Sequence, residues 1–470
     1  MSWVEIHPGH WERPAGENES MIKLIGDGGH KVGKDVWSIS ATARFSARIS
    51  SKPLAQALQD GWKHLRFRHP SIAATIKTTE DITAVQYQVP SLEDLTSWVK
   101  DTFIIVDNDN LETVIRNLQP TRYPTCYYLK TQETILLHMS HWRTDGIGAF
   151  HLLAELFRGT IECLGRPSLQ LSWGQETARL VPSVEEALNL PQTPTEAIQH
   201  AANHYLQTVS HNTGALDIPR TFFSTRPGSA STHPFTQIAN RSFTKAETAA
   251  LLSACSKLDL SIESALHASV TATAYNMITA AEDDFFSTHH TSTMRHSLRP
   301  HLPAPNNSVP GACGLYTAGY MVKVPASNSW LDNARYFNSE YTSGGGESLL
   351  CSRREYATQM MSRMRAAAPT PSSANGNNVR GGLDFSWIPG AGGLVDTRYG
   401  IKEKGEWIQV EEMGIGVEVL TRHVYVIAWV FDGRLGMRAV WNGALYAAGN
   451  GLGGEVLKGV GEVLVGNLLP

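Results

Sequence analysis

The sequence predicts an α/β protein of two domains, and three observations lead to this prediction. The chain has 470 residues, which is more than one ordinary hydrophobic core accommodates. Segments with the two-residue period of strands are interspersed with segments of helical period. A stretch rich in Thr, Ser, Pro and Gly separates two such blocks. We therefore predict an N-terminal domain at 1–210, a crossover linker at 211–235 and a C-terminal domain at 236–470.

The first block predicts alternating helices and strands. Leu54 to Phe67 has the helical period, and Pro70 ends this helix because the residue before a proline avoids the helical conformation. The other elements predicted for this block are a strand at 72–76, a β-hairpin of strands at 127–129 and 134–139, and a helix at 148–157. A mostly helical segment is predicted at 182–207, with Glu185, Glu186, Glu196 and His200 on its solvated face.

The second block contains the strongest hairpin signal of the chain. Asp432 and Gly433 lie between two alternating runs, and both residues tolerate the positive φ of a two-residue turn. Ser261 and Ser264 precede a run of small residues and predict the cap of a closely packed helix. The elements predicted here are strands at 241–243, 284–292, 424–431 and 435–441, helices at 245–258 and 265–279, and a docked helix after residue 451.

The composition is that of a globular protein without a global attraction for nucleic acid. Apolar residues make up 42% and charged residues 18% of the chain, unlike the low-hydrophobicity, high-charge composition of disordered segments. Forty basic and forty-four acidic side chains give a net charge of −4. A polyanionic ligand would therefore need a local basic patch.

The sequence predicts a cytoplasmic protein without a membrane span. Its start lacks the basic segment and apolar run of a secretory signal. No stretch approaches the roughly 18 uninterrupted apolar residues of a transmembrane helix. The five cysteines are an odd number without a C-x-x-C pair, which is typical of buried or free thiols in a reducing compartment.

One short motif carries candidate chemistry. Ser140 to Gly146 reads Ser-His-Trp-Arg-Thr-Asp-Gly and lies between a predicted strand and a predicted helix, where clefts commonly form. His141 can act there as a general base, since histidine titrates near neutral pH. Asp145 can cap the helix or meet an arginine, and Gly146 lets the backbone turn. The pattern is short, so a hydrogen-bonded structural histidine is the alternative interpretation.

Other patterns do not predict a second kind of site. The chain has neither a G-x-S-x-G elbow nor a P-loop. His289, His290 and His296 are poor metal ligands as a set, because adjacent strand residues point to opposite faces and no nearby Cys or carboxylate completes a tetrahedron. We therefore expect no metal site.

Five segments in a fixed order resemble one superfamily. They are 62–76 with Arg66, Arg68, His69 and Pro70; the His141-x-x-x-Asp145-Gly146 motif; the small-residue helix at 260–275; Met294 to Pro300; and Asp384-Phe385-Ser386-Trp387. Together they resemble the chloramphenicol acetyltransferase-like superfamily, which includes BAHD acyltransferases and peptide synthetase condensation domains. Ser386 and Ile388 stand where the BAHD Asp-Phe-Gly-Trp-Gly motif has glycines. The opening His7 to Pro14 resembles fungal trichothecene 15-O-acetyltransferase-like proteins in particular.

The resemblance implies a fold and a reaction. The fold has two chloramphenicol acetyltransferase-like domains, each a mixed sheet flanked by helices, with an active-site tunnel between them. His141 takes a proton from an acceptor hydroxyl, whose oxygen then attacks the thioester of acetyl-CoA or another acyl-CoA. Asp145 and Gly146 are structural, and Asp145 pairs with an arginine. No tightly bound cofactor is implied.

The resemblance also assigns roles in the second domain. Arg295 and Asp384 are implied to be structural partners. Trp387 either lines the tunnel or packs in the core, and we favour packing. The CoA phosphates need basic side chains, for which Lys245, Lys257 and Arg380 are the candidates. The alternative for each of these three is an ordinary solvated cation.

The sequence thus predicts an acyl-CoA-dependent O-acyltransferase, in particular an O-acetyltransferase, acting on a hydroxyl of a small hydrophobic secondary metabolite. We expect a monomer whose partners are this alcohol and acyl-CoA, without nucleic acid. One alternative is a condensation-type enzyme that takes its acyl group from a carrier-protein thioester. Another is a non-transferase catalyst or binding protein on the same fold, although nothing structural demands histidine at position 141. The acceptor, the acyl length and the regiochemistry depend on the shape of the tunnel.

Overall fold

The structure is a computed structural model that describes residues 2–78, 83–166, 170–223, 233–280, 289–325, 327–366, 381–446 and 451–469. Two compact units divide the chain. Unit 1 consists of Met1–Leu190, Leu298–Tyr316 and Gly390–Ile415, and unit 2 consists of Pro191–Ser297, Thr317–Pro389 and Gly416–Pro470. Each unit therefore draws on three separate stretches of chain. The continuous domains expected at 1–210 and 236–470, the linker and the tunnel stay predictions.

Strands and helices are numbered along the chain. The strands are β1 (Val4–His7), β2 (His10–Pro14), β3 (Ile39–Arg48), β4 (Thr75–Thr78), β5 (Thr83–Gln88), β6 (Phe103–Val106), β7 (Thr125–Leu129), β8 (Thr134–Met139), β9 (Thr236–Ser242), β10 (His289–Ser297), β11 (Thr317–Pro325), β12 (Leu383–Ile388), β13 (Arg398–Ile401), β14 (Glu406–Val417), β15 (Val424–Phe431) and β16 (Arg434–Asn442). The α-helices are α1 (Glu17–Asp27), α2 (Leu54–Arg68), α3 (Leu92–Thr102), α4 (Leu111–Arg116), α5 (Gly146–Gly165), α6 (Val184–Ala187), α7 (Glu196–Thr208), α8 (Lys245–Lys257), α9 (Ile262–Ala280), α10 (Trp330–Ser343), α11 (Gly346–Cys351), α12 (Arg353–Ala366), α13 (Ala391–Leu394) and α14 (Leu452–Leu468).

Unit 1 contains two sheets. The larger has the order β13-β14-β3-β8-β7-β6 and is mixed, since β6 runs parallel to β7 while β7 and β3 are antiparallel to β8. The smaller sheet, in the order β1-β2-β5-β4, is antiparallel. Every residue of β8 is buried, as expected for a central strand that is covered on both faces. The hairpin predicted for β7 and β8 is confirmed.

Helices α2 and α5 of unit 1 pack closely against each other. Two glycines permit this approach. A Cβ atom on Gly61 would lie 2.1 Å from Oγ1 of Thr160, and one on Gly159 would lie 2.8 Å from Nδ1 of His64. Helix α2 covers the predicted segment and ends at Arg68, as the proline two residues later requires. The contact holds α5, the helix that follows the His141 motif, against the rest of unit 1.

Unit 2 contains a mixed sheet in the order β12-β15-β16-β9 and the antiparallel pair β10-β11. In the predicted hairpin, Asp432 and Gly433 have φ angles of 47° and 69° and join β15 to β16, which confirms the turn. The small-residue helix α9 packs against α10 and α14. Val456, Val460 and Leu464 of α14 are buried in the core of this unit, so the predicted docked C-terminal helix is also confirmed.

Four local predictions need correction. The strand predicted at 241–243 overlaps only the end of β9, which begins at Thr236 and ends at Ser242. Residues Pro70–Ala73 form a 3-10 turn and β4 begins only at Thr75, because proline favours the first position of such a turn. Residues 182–207 form two helices with a break between them. Glu185 is buried, and its carboxylate accepts a hydrogen bond from the Asn18 N–H at 2.7 Å, whereas Glu196 and His200 are exposed as predicted. Strand β10 continues to Ser297, beyond the predicted end at residue 292, while 284–288 lie outside the described residues.

The five cysteines are free thiols. Burial raises the pKa of the Cys313 thiol to about 12, so this sulfur stays protonated near neutral pH. Within the described ranges, none of the helices combines the length and the apolar character that crossing a bilayer requires.

Candidate active site

His141 lies at the predicted junction between a strand and a helix. Strand β8 ends at Met139, His141–Arg143 form a 3-10 turn, and α5 begins at Gly146. The His141 side chain is half-buried, whereas Trp142 and the residues up to Asp145 are buried. The junction thus keeps the imidazole partly accessible, and the neighbouring side chains hold the turn inside the protein.

A backbone hydrogen bond defines the tautomer of His141. Its Nδ1 atom lies 2.9 Å from the carbonyl oxygen of Thr144. A carbonyl oxygen can only accept, so Nδ1 carries the proton that it shares with Thr144. In the neutral ring, the lone pair therefore lies on Nε2. The arrangement can present Nε2 as a base.

Asp145 is held by several hydrogen-bond donors. It caps α5 by accepting from the Gly148 N–H at 2.8 Å. Nη2 of Arg299 lies 3.1 Å from each carboxylate oxygen, and the Tyr316 N–H donates to Oδ2 at 3.0 Å. Both members of the ion pair are buried. The resemblance implied an arginine partner for Asp145, and the structure identifies it as Arg299.

Thr144 connects the turn to the chain segment Leu298–Tyr316. Its hydroxyl donates to the carbonyl oxygen of Ala312 at 2.6 Å, while its own carbonyl accepts from His141. Gly148 leaves the room for this contact, since a Cβ atom there would lie 2.2 Å from both the Ala312 oxygen and the Thr144 hydroxyl. The glycine at this position is therefore a packing requirement.

Two further side chains anchor the turn. Ser140 donates its hydroxyl proton to the carboxylate of Asp35. Arg143 donates to the carbonyl oxygens of Ala74 at 2.5 Å and Arg122 at 2.6 Å. Burial lowers the pKa of Arg143 to about 10, which still leaves the guanidinium charged at neutral pH. Contacts from several parts of unit 1 thus hold the residues on either side of His141.

Arg295 and Asp384 form an ion pair in unit 2. Nη2 of Arg295 lies 2.6 Å from Oδ2 of Asp384, and Oδ1 accepts from the Ser292 hydroxyl at 2.7 Å. Burial opposes ionisation of Asp384, but Arg295 and these hydrogen bonds hold its pKa well below the usual range. Trp387 is half-buried and packs against the core of unit 2. The functional importance of these residues stays a prediction.

A buried hydrogen-bond chain that the sequence did not reveal continues from this ion pair. The Ser292 hydroxyl gives its proton to Asp384, so it accepts from Nε2 of His267 at 2.8 Å. Nδ1 of His267 then accepts from the Tyr341 hydroxyl at 3.1 Å. Burial lowers the pKa of His267 well below its ordinary value, so the ring is neutral and connects the two hydroxyl groups.

The basic residues suggested for CoA lie in different environments. Lys245 is exposed and forms a 2.8 Å ion pair with Asp432. Lys257 is exposed at the end of α8. Arg380 lies outside the described residues. Their suggested role therefore stays a prediction.

Two of the histidines considered for a metal site donate to backbone carbonyl groups. His290 donates from Nε2 to the carbonyl oxygen of Leu383, and His289 donates to that of His211. Among the described residues, no group of three or more His, Cys, Asp or Glu side chains could hold a metal ion.

Three residues of the candidate site had no role predicted from the sequence, namely Asp35, Thr144 and Arg299. Arg299 belongs to the Met294–Pro300 stretch, which contains a second arginine four residues earlier. The resemblance paired Arg295 with Asp384 but did not indicate which arginine meets Asp145. Thr144 contacts His141 through its main-chain carbonyl group, which any residue has. Asp35 lies 105 positions before Ser140. No local sequence pattern therefore indicates either residue.

The chain has well-matched fungal relatives, although no protein-family model matches it. Acetyltransferase pigO of Monascus ruber is 39% identical over 455 residues, which cover 95% of this chain and 94% of the relative. The O-acetyltransferase pigM of Monascus ruber is 25% identical over 455 residues, covering 95% and 84%. The solved trichothecene 15-O-acetyltransferase of Fusarium sporotrichioides matches with a TM-score of 0.77 at 14% identity, covering 99% of this chain and 98% of that one.

The fold and the relatives together define an acyltransferase of the chloramphenicol acetyltransferase-like type. The chain belongs to the fungal acetyltransferases of this superfamily. Its relatives further identify the reaction class as O-acyl transfer. The predicted fold class and enzyme class are thereby confirmed.

Proposed function

We propose that the protein transfers an acyl group, in particular an acetyl group, from acyl-CoA to a hydroxyl of a small hydrophobic secondary metabolite, with His141 as the general base. The single observation that carries the proposal is the 2.9 Å hydrogen bond from Nδ1 of His141 to the Thr144 carbonyl oxygen. This bond puts the lone pair of the neutral ring on Nε2, as a base requires. The solved relative is named for O-acetylation of a trichothecene, which supports a secondary metabolite as the acceptor.

The proposed reaction has two proton transfers. Nε2 of His141 takes the proton of the acceptor hydroxyl while the oxygen forms a bond to the thioester carbonyl carbon. The tetrahedral intermediate then loses CoA thiolate, which receives the proton from Nε2. An ester and the free thiol of CoA result, and His141 returns to its neutral state. General base catalysis of this kind contributes roughly 10²–10⁴-fold to the rate.

Asp145 has a supporting role in this proposal. Its carboxylate accepts from Gly148, Arg299 and Tyr316, so its lone pairs serve to hold the start of α5. An acceptor hydroxyl would have to displace these donors to reach it, at the cost of leaving buried groups unpaired. The geometry therefore favours His141 as the base.

The decisive test is a mass-spectrometric screen of the purified chain with acetyl-CoA and a panel of hydrophobic fungal alcohols. We expect ester formation by the wild-type chain and a loss of roughly 10²–10⁴-fold in His141→Ala. His200→Ala removes an exposed histidine on α7 and should keep wild-type activity. Undiminished transfer in a folded His141→Ala variant would overturn the assignment of the base.

A second experiment tests whether the acyl group comes from acyl-CoA or from a carrier protein. The same alcohols and a panel of amines are incubated with an acyl carrier protein that carries an acetylated phosphopantetheine. Transfer from the carrier protein but not from free acetyl-CoA would favour the condensation-type alternative. Transfer from free acetyl-CoA supports the proposal.

A further inference from the structure

The hydroxyl of Thr144 occupies an unusual position next to the catalytic turn. It is fully buried, so it does not touch a substrate. It lies 2.6 Å from the carbonyl oxygen of Ala312 and 3.3 Å from that of Asp145. The hydroxyl has one proton, and the shorter distance assigns it to Ala312, which is 168 positions away in sequence.

The carbonyl group of the same residue is the partner of His141. Thr144 therefore accepts from the imidazole with its main chain and donates to Ala312 with its side chain. The residue after it, Asp145, is held by Arg299 and by the Tyr316 N–H. If the peptide group between Thr144 and Asp145 rotated, the Thr144 carbonyl would lose its hydrogen bond with His141, and the contacts of the Thr144 and Asp145 side chains would be disturbed.

We propose that the Thr144 hydroxyl is a positioning group for His141. By holding Thr144 against Ala312, it keeps the Thr144 carbonyl directed at Nδ1 and so maintains the tautomer with the lone pair on Nε2. The segment Leu298–Tyr316 thereby influences the base without contacting it. The catalytic consequence rests on the proposed function, whereas the tautomer itself is a property of the free protein.

The alternative is that the hydroxyl only satisfies a buried carbonyl group and stabilises the fold. The two interpretations differ in what happens to the imidazole. A purely structural hydroxyl would leave the His141 tautomer unchanged when it is removed. A positioning hydroxyl would allow the proton to redistribute between Nδ1 and Nε2, with loss of catalytic rate.

Two substitutions separate the hydroxyl from the rest of the side chain. Thr144→Val keeps the branched shape and removes the hydroxyl, whereas Thr144→Ser keeps the hydroxyl and removes the methyl group. The tautomer is read from ¹⁵N chemical shifts of histidine-labelled protein without substrate, with His141→Ala to assign the signal. The same proteins are assayed with acetyl-CoA and the acceptor that the screen identifies.

For the wild type and Thr144→Ser we expect a single tautomer with the proton on Nδ1. For Thr144→Val we expect a mixture of tautomers and a fall in kcat on the order of 10- to 100-fold, with KM changed less than about twofold. An unchanged tautomer and unchanged kcat in Thr144→Val would overturn the proposal. Equal loss in Thr144→Ser would also overturn it, because the methyl group would then be responsible.

The wild-type spectrum keeps the proposal falsifiable even if Thr144→Val does not fold. A wild-type His141 with its proton on Nε2 would contradict the proposal directly. If His141→Ala retains full activity, the proposed function fails, while the tautomer measurement still decides whether the hydroxyl positions the ring.

Discussion

Nη2 of Arg299 lies 3.1 Å from both carboxylate oxygens of Asp145, and this buried contact joins residues 154 positions apart. Strand β10 ends at Ser297 and belongs to unit 2. Arg299 follows two residues later and already belongs to unit 1. The segment 298–316 thus reaches the His141 motif from the second half of the chain.

Removing the guanidinium of Arg299 should destabilise unit 1. Arg299→Met leaves the Asp145 carboxylate buried without its cation, and breaking a buried pair in this way costs about 3–5 kcal/mol. Urea unfolding followed by tryptophan fluorescence measures the change. Lys245→Met is the matched control, because its ion pair with Asp432 is exposed and contributes little. Equal effects of the two substitutions would contradict the importance of the buried pair.

Gly148→Ala should impair both stability and transfer. The added methyl group would lie 2.2 Å from the Ala312 oxygen and from the Thr144 hydroxyl, and 2.9 Å from Nη2 of Arg299, so the segment 298–316 must shift. Overpacking of this kind typically costs about 1–3 kcal/mol. Gly454→Ala in α14 is the control, since its Cβ would meet no atom within 4 Å. Thermal midpoints should fall for Gly148→Ala and stay equal or rise for Gly454→Ala.

The protein should lose stability as the pH falls from about 6.5 to 4. Burial lowers the pKa of His138, His151 and His296 to about 4, so the unfolded chain binds more protons in this window. The stabilisation that comes from keeping each histidine neutral is fully present above pH 6.5 and is lost as the pH falls toward 4. Urea midpoints at half-unit pH steps measure the slope.

His296→Phe tests one of these histidines. The ring stacks on Tyr320 at 5.6 Å between centroids, so an aromatic replacement should fit the space. Between pH 6.5 and 4 the variant should lose less free energy of unfolding than the wild type, by roughly 3 kcal/mol at most. A slope identical to that of the wild type would indicate that His296 is not held neutral.

Asp384→Asn should destabilise unit 2 by about 1–3 kcal/mol, because the half-buried Arg295 then loses its counterion and a charge-assisted hydrogen bond. Since the pKa of Asp384 is depressed, the difference from the wild type should be constant above about pH 4. It should shrink below that value as the carboxylate is protonated. Asp432→Asn removes an exposed acid of the same type and should have a much smaller effect at every pH.

Local patterns in the sequence predicted the elements whose formation depends on neighbouring residues. The helical period of 54–67 and the Asp432-Gly433 turn correspond closely to α2 and to the β15–β16 hairpin. The errors occurred where a distant contact or a proline altered the local pattern. Glu185 has the spacing of a solvated helical face, but it is buried and accepts a hydrogen bond from Asn18, 167 positions away.

The sequence by itself determined that a histidine follows a buried strand and precedes a capped helix, because strand, turn and cap depend on a few adjacent side chains. The resemblance implied that Arg295 meets Asp384, as the structure shows, but only the tertiary structure decided that Arg299 is the partner of Asp145 and that Thr144 bonds to Ala312. Both arginines lie on one short stretch, and their partners are selected by how the chain packs over long separations. The candidate base His141 could thus be predicted from local order, whereas the contact of Thr144, its hydrogen-bond partner, with Ala312 joins residues 168 positions apart.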